Sequence, residues 1–379
     1  MKFIHLSDLH MGKRVNEFSM LEDQKYILGQ ILSIVKAEQP DGVILAGDVY
    51  DKAVPPAEAV QVFDSFLTGL AALHTAVFVV SGNHDSAERL AFGAGLMSGS
   101  RVYVTPVYDG RITTVAMEDA WGEVQVHLLP FLKPALVRHA FPGESAETSE
   151  EAVKTALSHL DIDTDKRNVL AAHQFVTGAS LSESEELAVG GLDQISASVF
   201  ADFDYVALGH IHGPQWVGRE TVRYCGTPLK YSFSEAGQEK SVTVAELGPK
   251  GEVLVRTIPL KPLRDMRKLR GTYLEVTAKS FYEGTNREDY VQITLTDEED
   301  IPDGMQKLRV IYPNLMRLEY DNRRTRQGQQ IQAAEAVEEK SGLQLFEEFY
   351  ELQNNGPMSG EQREFAGKLI DRVLEGEGR

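Results

Sequence analysis

Three strand-like segments near the start of the sequence each run directly into residues of the types that bind metal ions. The second of them, 43–46, is a continuous apolar run, which is typical of a strand that is buried on both faces of a sheet. The carboxyl ends of parallel strands lie at the edge where α/β proteins bind ligands. The repetition therefore predicts an α/β fold that gathers polar side chains at one edge of its sheet. In chain order the segments are 2–7 before Asp8 and His10, 43–46 before Asp48, and 77–81 before Asn83 and His84.

The following segments extend this pattern. Apolar residues spaced three or four apart predict amphipathic helices between the first strands. Alternating polarity further along predicts an antiparallel pair, and two more apolar strands again end in histidine. These predicted elements are helices 20–39 and 56–74, the antiparallel pair 102–115 and 124–129, and strands 168–172 before His173 and 205–208 before His210 and His212.

The character of the sequence changes near residue 262, where several basic residues fall close together. A small α+β domain follows, with strands predicted at 273–277, 290–295 and 315–320. A polar segment without an apolar face then leads to two helices, each begun by a serine with a glutamine three residues later, a capping box. The predicted divisions are a large domain at 1–262, a small domain at 263–322, a linker at 323–340 and a helix pair at 341–379.

Composition limits the possible functions. The formal net charge of −19 argues against broad electrostatic binding to nucleic acid, so any such contact must be local or shared with a partner or bound cations. Cys225 is the single cysteine, so no disulfide can form within the chain, which fits a reducing compartment. The apolar runs are too short to span a membrane. The N-terminus enters a strand at once, so no signal peptide is expected.

The polar residues at the predicted strand ends combine carboxylates, an amide oxygen and imidazoles. This set suits Mn²⁺, with Fe²⁺ and Zn²⁺ as alternatives. One ion cannot use them all, whereas two ions about 3.5–4 Å apart that share a carboxylate would use nearly all of them. Such a pair holds a phosphoryl group and lowers the pKa of a bound water. Displacement at phosphorus also needs a proton donor for the leaving oxygen, and His84, beside Asn83, is the candidate.

Several short motifs, taken in order, resemble those of the calcineurin-like metallophosphoesterases. They are Asp8-x-His10, Gly47-Asp48-x-x-Asp51, Gly82-Asn83-His84-Asp85, His173 and Gly209-His210-x-His212. More narrowly, the sequence resembles the SbcD family of bacterial nuclease subunits, above all from Tyr224 to Glu235. The resemblance implies a four-layer α/β/β/α sandwich with a small α+β capping domain and a C-terminal helical hairpin.

The resemblance also implies a role for each site residue. One divalent metal ion would bind Asp8, His10, Asp48 and His212, and a second would bind Asp48, Asn83, His173 and His210. His84 would be the proton donor or transition-state stabiliser, supported by Asp85. Asp51 stands where archaeal and eukaryotic relatives often carry histidine, which leaves it a supporting role and weakens any case for a second catalytic imidazole.

By the same resemblance, the chain would be a Mn²⁺-dependent DNA nuclease, a 3′→5′ exonuclease on double strands and an endonuclease on single strands and hairpins. It would work with the ATPase SbcC in the repair and recombination of DNA ends. The small domain would help to orient DNA. The basic residues that favour this are Arg264, Arg267, Lys268 and Arg270.

The terminal helices would bind the coiled coil of SbcC. ATP must then be bound by that partner, because this sequence has no G-x-x-x-x-G-K-[ST] loop. Two SbcC and two SbcD chains would assemble in the cytoplasm, at the nucleoid, with the SbcD pair in contact through its catalytic domains. The apolar residues expected to contact SbcC are Leu345, Phe346, Phe349, Leu352, Phe365 and Leu369.

Simpler interpretations stand beside these. The same metals could serve a phosphoesterase that acts on small molecules or phosphoproteins, or the chain could be a non-catalytic adaptor for an ATPase. The basic stretch 261–270 could be a solvated linker, and the terminal helices could pack on their own domain. Five histidines have no expected role: His5, His74, His127, His139 and His159.

Overall fold

The computed structural model describes residues 1–185, 194–323, 325, 343, 346–347, 349–351 and 357–376. The chain divides into two compact units, Met1–Met266 and Arg267–Arg379. Within the described ranges, no helix has both the length and the apolar character that a membrane span requires. The finer division of the second unit into capping domain, linker and helix pair stays a prediction.

The strands and helices follow one another along both units. The strands are β1 (Lys2–Leu6), β2 (Arg14–Val15), β3 (Phe18–Ser19), β4 (Gly42–Ala46), β5 (Ala76–Val80), β6 (Val102–Val104), β7 (Thr113–Asp119), β8 (Gly122–Leu129), β9 (Arg167–His173), β10 (Phe175–Val176), β11 (Gln194–Ile195), β12 (Tyr205–Gly209), β13 (Gln215–Val217), β14 (Arg219–Tyr224), β15 (Ser241–Leu247), β16 (Val253–Pro259), β17 (Met266–Gly271), β18 (Tyr290–Leu295) and β19 (Leu315–Tyr320). The helices are α1 (Leu21–Glu38), α2 (Ala57–Ala72), α3 (Ala87–Leu90), α4 (Ala94–Met97), α5 (Pro134–Ala140), α6 (Ser149–Ser158), α7 (Tyr273–Thr277), α8 (Lys279–Tyr282), α9 (Gly304–Arg309) and α10 (Gly360–Gly376).

Two six-stranded sheets form the centre of the first unit. The first sheet has the order β16-β15-β1-β4-β5-β6 and the second has the order β13-β14-β12-β9-β8-β7. Strands β1, β4 and β5 are parallel neighbours, and so are β9 and β12. Because β1, β4 and β5 run parallel to one another, as do β9 and β12, their carboxyl ends can deliver side chains to one rim.

The sheets pack face to face through a shared apolar core. Phe3, Ile44 and Phe78 of the first sheet lie in one buried cluster with Val126 and Val169 of the second. The other face of the second sheet packs against α5 and α6 in a separate cluster. Helices α1 and α2 contact each other, and α2 contacts β5 of the first sheet. The layers therefore run helix, sheet, sheet, helix, which confirms the predicted α/β/β/α sandwich.

The predicted antiparallel pair of 102–115 with 124–129 is wrong in part. Val102–Val104 forms a strand at the edge of the first sheet, parallel to β5. Only the segment from Thr113 onward pairs antiparallel with β8, in the second sheet. The two halves of 102–115 therefore belong to different sheets, and a connection between them crosses from one layer to the other.

The second unit has a small sheet of its own, in the order β17-β18-β19. Val276, Ile293 and Leu315 belong to its buried core. The predicted strand at 273–277 is wrong: Tyr273–Thr277 is a helical turn, begun by a capping box between Thr272 and Glu275. The third strand is instead Met266–Gly271, within the basic stretch that sequence analysis left without a strand.

The last helix, α10, begins as its sequence predicts. The Ser359 backbone N–H donates to Gln362 Oε1 over 2.8 Å, and the Gln362 N–H donates to Ser359 Oγ over 3.2 Å. Arg363 pairs with Glu347 at 2.5 Å, so α10 contacts the helical residues described between 343 and 351. The other predicted capping box, Ser341 with Gln344, lies outside the described residues.

Candidate metal centre

Polar side chains from both large sheets meet at one rim. The loops after β1, β4 and β5 bring Asp8, His10, Asp48, Asn83 and His84, and the ends of β9 and β12 bring His173, His210 and His212. The loops after β1 and β4 are joined by backbone hydrogen bonds, from Asp8 N–H to Gly47 O and from His10 N–H to Asp48 O. The structure thus brings together every residue that was predicted to bind metal.

Asp8, His10 and His212 form one group of potential ligands. The Nε2 atoms of His10 and His212 are 3.2 Å apart. The Asp8 carboxylate accepts the His210 backbone N–H at 3.0 Å through Oδ1, and it also accepts the Ser7 hydroxyl. All three potential ligands are almost completely buried. The group therefore matches three of the four ligands predicted for the first ion.

Asp48, Asn83, His173 and His210 form the second group. Asn83 Oδ1 lies 3.0 Å from His173 Nε2 and 3.0 Å from His210 Nδ1. Asp48 Oδ2 is 3.4 Å from His173 Nε2 and 3.8 Å from His10 Nε2, so this carboxylate lies between the two groups. That position is the one that a bridging carboxylate needs.

Nitrogen and oxygen atoms that face one another show that these residues fit cations. The Nε2 atoms of His10 and His212 face each other at 3.2 Å, and His210 Nδ1 faces Asn83 Oδ1 at 3.0 Å. His173 faces the Ala46 carbonyl through Nδ1 at 2.9 Å, so a neutral His173 carries its proton there and presents a lone pair at Nε2. That lone pair faces two oxygens, from Asn83 and Asp48. Such converging lone pairs require either a proton or a metal ion between them, and the chemistry of this donor set suits divalent metals.

The pKa values of these residues are shifted because many titratable groups are buried close together. Burial raises the pKa of Asp8 to about 6, despite the nearby His173 and His212 imidazoles. Burial also acts to raise the pKa of Asp48, but the surrounding imidazoles, His173 first, hold it well below its usual value. Burial lowers the pKa of His210 to about 3. For His173 burial is outweighed by the Asp48 carboxylate, which raises its pKa to about 9.

Several of these residues have strained backbones. Asp8, His10 and Asp48 have φ values of 52°, 44° and 46°, in the left-handed region that favours glycine. His210 has a φ of 105°. Such conformations cost about 1–3 kcal/mol each and persist where the surrounding structure holds them, most often at functional sites.

The predicted catalytic residues lie beside these groups. The His84 backbone N–H donates to Asp48 Oδ1 at 2.9 Å, and His84 Nδ1 is 3.1 Å from the Asp51 carbonyl oxygen. Asp85 accepts the backbone N–H groups of Val49, Tyr50 and Gly82, so it joins the loops after β4 and β5. Its support for His84 therefore passes through the backbone, while the imidazole itself is held by the Asp51 carbonyl.

Sequence analysis missed several residues that support the site. Lys13 Nζ pairs with Asp51 Oδ1 at 2.7 Å and brings positive charge near His10. Gln24 donates to the carbonyl oxygens of Leu9 and His10 and thereby fixes the loop after β1. Lys13 follows Met11-Gly12 directly and could have been considered, whereas Gln24 stands out only as the polar exception in an apolar helix face.

The four basic residues predicted to contact DNA are largely engaged within the protein. Arg264 pairs with Glu22 and Asp23, Arg267 with Asp289, and Arg270 with Asp321. Lys268 is exposed. The stretch therefore offers less free positive charge than the sequence suggests, and its contact with DNA stays a prediction.

The predicted partner-binding residues are described only in part. Phe346, Phe349, Phe365 and Leu369 are 40–70% exposed, unusually high for large apolar side chains. Leu345 and Leu352 lie outside the described residues.

Gly209 lies at a close approach of the two sheets near the rim. A β-carbon at Gly209 would lie 1.8 Å from Ala46 O and 2.7 Å from His173 Nδ1. We expect Gly209→Ala to destabilise the protein by about 3 kcal/mol, the upper end for overpacking, seen as a lower midpoint of thermal unfolding. Gly29→Ala in α1 is the control, because nothing lies within 4 Å of its β-carbon. It should be neutral or stabilise by up to about 1 kcal/mol; equal midpoints for the two variants would contradict this close approach.

Comparisons with known proteins agree with the geometry. Residues 1–214 match the calcineurin-like phosphoesterase family, and residues 262–354 match a domain described as the Type 5 capsule protein repressor C-terminal domain. Over 386 residues the chain is 31% identical to the SbcD subunit of nuclease SbcCD from Staphylococcus epidermidis, covering 100% of both sequences.

Two solved structures align with part of this chain. A dimetal phosphatase from Danio rerio aligns with a TM-score of 0.41 and 12% identity, over 69% of this chain and 98% of that one. TT1561 of Thermus thermophilus aligns with a TM-score of 0.38 and 13% identity, over 68% of this chain and 98% of that one.

The family assignment follows from the sequence matches together with the potential metal ligands at the rim. The phosphoesterase match covers more than half of the chain, and the residues that the rim gathers are suited to divalent metals. The chain is a metal-dependent phosphoesterase: it belongs to the calcineurin-like phosphoesterases and, within them, to the SbcD family of nuclease subunits.

Proposed function

We propose that this chain is the nuclease subunit of an SbcCD-type complex. It would act with Mn²⁺ as a 3′→5′ exonuclease on double-stranded DNA and as an endonuclease on single strands and hairpins. The observation that carries the proposal is the meeting of potential ligands from two sheets at one rim. The similarity to a nuclease subunit along the whole chain supports DNA as the substrate.

The proposed chemistry is phosphodiester hydrolysis. Asp8, His10, Asp48 and His212 would hold one Mn²⁺, and the second group would hold another. When bound, such a pair supplies a Lewis acid for the phosphate and an acidified water. His84 would donate a proton to the leaving oxygen through Nε2, because its Nδ1 is held by the Asp51 carbonyl. Asp51 and Lys13 would help to hold the loops around the phosphate.

The test is cleavage of end-labelled duplex DNA by the purified chain with Mn²⁺, alone and with SbcC. We expect nucleotides to be released from 3′ ends, and hairpin and single-stranded substrates to be cut internally. EDTA should abolish both activities. No cleavage of any DNA, together with rapid hydrolysis of a small phosphomonoester, would favour a small-molecule phosphoesterase instead. A chain that binds SbcC but hydrolyses neither substrate would be an adaptor.

The C-terminal helices are proposed to bind SbcC. Deletion of 341–379 should abolish binding to SbcC in pull-down and size-exclusion experiments, because the apolar side chains exposed around α10 would be lost. Basal Mn²⁺-dependent cleavage should remain within about threefold, since the rim lies entirely in the first unit.

A paired set of point variants separates this effect from misfolding. Phe365→Ser should weaken binding to SbcC, because Phe365 is 70% exposed and contributes little to the fold. Glu361→Gln, on the same helix, should bind normally. A deleted chain that still forms the complex would refute docking through these helices.

The proposed assembly also contains two catalytic domains in contact, in a complex of two SbcC and two SbcD chains in the cytoplasm at the nucleoid. Phe92 and Leu96 support such a contact, because they are 86% and 88% exposed near the loop that carries His84. Large exposed apolar groups of this kind are typical of interaction sites.

A further inference from the structure

A buried polar network lies directly behind His212. Ser184 Oγ is 2.6 Å from His212 Nδ1 and also 2.6 Å from Glu235 Oε1. Glu235 is completely buried, and its other oxygen accepts Lys240 Nζ at 2.5 Å. Lys240 is itself buried and donates further to the His212 carbonyl and to Gln238 Oε1. A carboxylate and an ammonium group buried this deeply are costly unless each is paired, as they are here.

The direction of each hydrogen bond in this network follows from the donors available. A carboxylate that faces an ammonium group is ionised and can only accept, so Ser184 must donate its single proton to Glu235. Ser184 Oγ can then only accept from His212, so the His212 proton lies on Nδ1. Ser182 Oγ, 2.7 Å from Ser184 Oγ, has its own carboxylate acceptor in Glu185 at 2.6 Å. His212 Nε2 therefore carries no proton, and its lone pair faces His10 Nε2.

We infer that Glu235 is a positioning residue: acting through Ser184, it fixes the tautomer of His212 in which Nε2 is free to bind a metal ion. The inference rests on the proposed function, because it takes His212 as a ligand. Partners of this kind hold ligand histidines in place, and their loss typically costs 10–100-fold in metal affinity. This inference also gives Glu235 a role. Glu235 is the last residue of the segment from Tyr224 to Glu235, and sequence analysis assigned it no function.

Glu235→Gln tests the inference directly, because Lys240 determines the orientation of the new side-chain amide. Lys240 only donates, so the amide oxygen must face Lys240 and the amide NH₂ group must face Ser184. Ser184 would then accept from that NH₂ group and donate to His212 Nδ1, which moves the imidazole proton to Nε2. The substitution is therefore expected to block the ligand atom with almost no change in volume.

The experiment titrates the metal-free chain, with all its residues present, with Mn²⁺ by calorimetry and follows histidine tautomers by NMR with ¹⁵N-histidine. In the wild type we expect His212 to carry its proton on Nδ1 and two Mn²⁺ ions to bind. In Glu235→Gln the proton should move to Nε2, and one of the two sites should weaken 10–100-fold. Ser184→Ala should weaken the same site, whereas Ser184→Thr, which keeps the hydroxyl, should restore it.

Glu239→Gln is the matched control. Glu239 is next to Lys240 in the sequence, but it is exposed and is not one of the hydrogen-bonding residues of this network, so this variant should bind both ions within about threefold of wild type. Equal weakening in both glutamine variants would show that only charge matters and would overturn the inference. So would an unchanged tautomer and affinity in Glu235→Gln.

Two further outcomes are distinguishable. If Glu235→Gln does not fold, Ser184→Ala decides, because it leaves the Lys240–Glu235 pair intact; normal Mn²⁺ binding by Ser184→Ala would overturn the inference. If the wild-type chain binds no Mn²⁺ at all, the proposed function fails and this inference fails with it. If the wild type binds two ions and every variant does the same, this inference alone fails.

Discussion

Replacing His84 by alanine is expected to reduce Mn²⁺-dependent cleavage of DNA by about 10²–10⁴-fold, the usual contribution of a general acid. The reason is geometric: His84 Nδ1 is held by the Asp51 carbonyl at 3.1 Å, and its side chain remains partly exposed, at 19%, toward the rim. The loss should fall on kcat, with little change in DNA binding. Single-turnover cleavage of end-labelled duplex would measure it.

Metal binding separates two possible roles of His84. His84 also lies within reach of His10 and Asp48, in a group that could hold a cation. A proton donor can be removed without loss of metal, so His84→Ala should still bind two Mn²⁺ ions by calorimetry. Loss of one ion would make His84 a ligand, and undiminished cleavage would remove it from the mechanism. His74→Ala, at the other end of β5, is the matched control and should cleave as wild type does.

Replacing Asp48 by asparagine is expected to have an even larger effect. Asp48 Oδ2 lies 3.4, 3.8 and 3.9 Å from the Nε2 atoms of His173, His10 and His84, at the centre of the imidazoles. Asparagine keeps the volume but removes the negative charge that two cations would share. Mn²⁺ affinity should fall by more than about 100-fold, beyond what the loss of a supporting partner costs, and cleavage should fall at least as far as in His84→Ala.

Calorimetry and metal analysis of the purified variant would measure the change. Asp64→Asn, on the exposed face of α2, is the control and should bind two ions. An Asp48→Asn protein that still binds two Mn²⁺ ions with wild-type affinity would contradict the bridging role.

The residues at the rim could be predicted from sequence because each of them lies close, along the chain, to the end of a strand. Asp8, Asp48 and Asn83 each follow an apolar strand within three residues, and His173 ends one. Parallel pairing of such strands brings their ends together without any detail of packing. The observed strands and helices of this region begin and end within two residues of their predicted positions.

Other features depend on contacts that sequence pattern does not contain. The alternation of polar and apolar residues in 102–115 indicates side chains on opposite faces of a strand. It does not show which sheet each half of the segment joins. Tyr273–Thr277 is rich in residues that favour strands, yet the capping box of Thr272 and Glu275 stabilises a helical turn. Glu235 reaches the His212 imidazole through Ser184, which is 51 residues away from Glu235 along the chain. Such contacts follow from tertiary structure alone.

The origin of the ligands in two separate layers has a consequence for folding. Asp8 and Asp48 belong to one sheet, while His173 and His212 belong to the other, and only the folded chain brings them within a few ångströms. A cation bound by both would cross-link the layers, and its binding energy would add to the free energy of unfolding. An ion present at 100 times its dissociation constant adds about 2.7 kcal/mol. The concentration of that cation in the cell would then affect the stability of this protein as well as its activity.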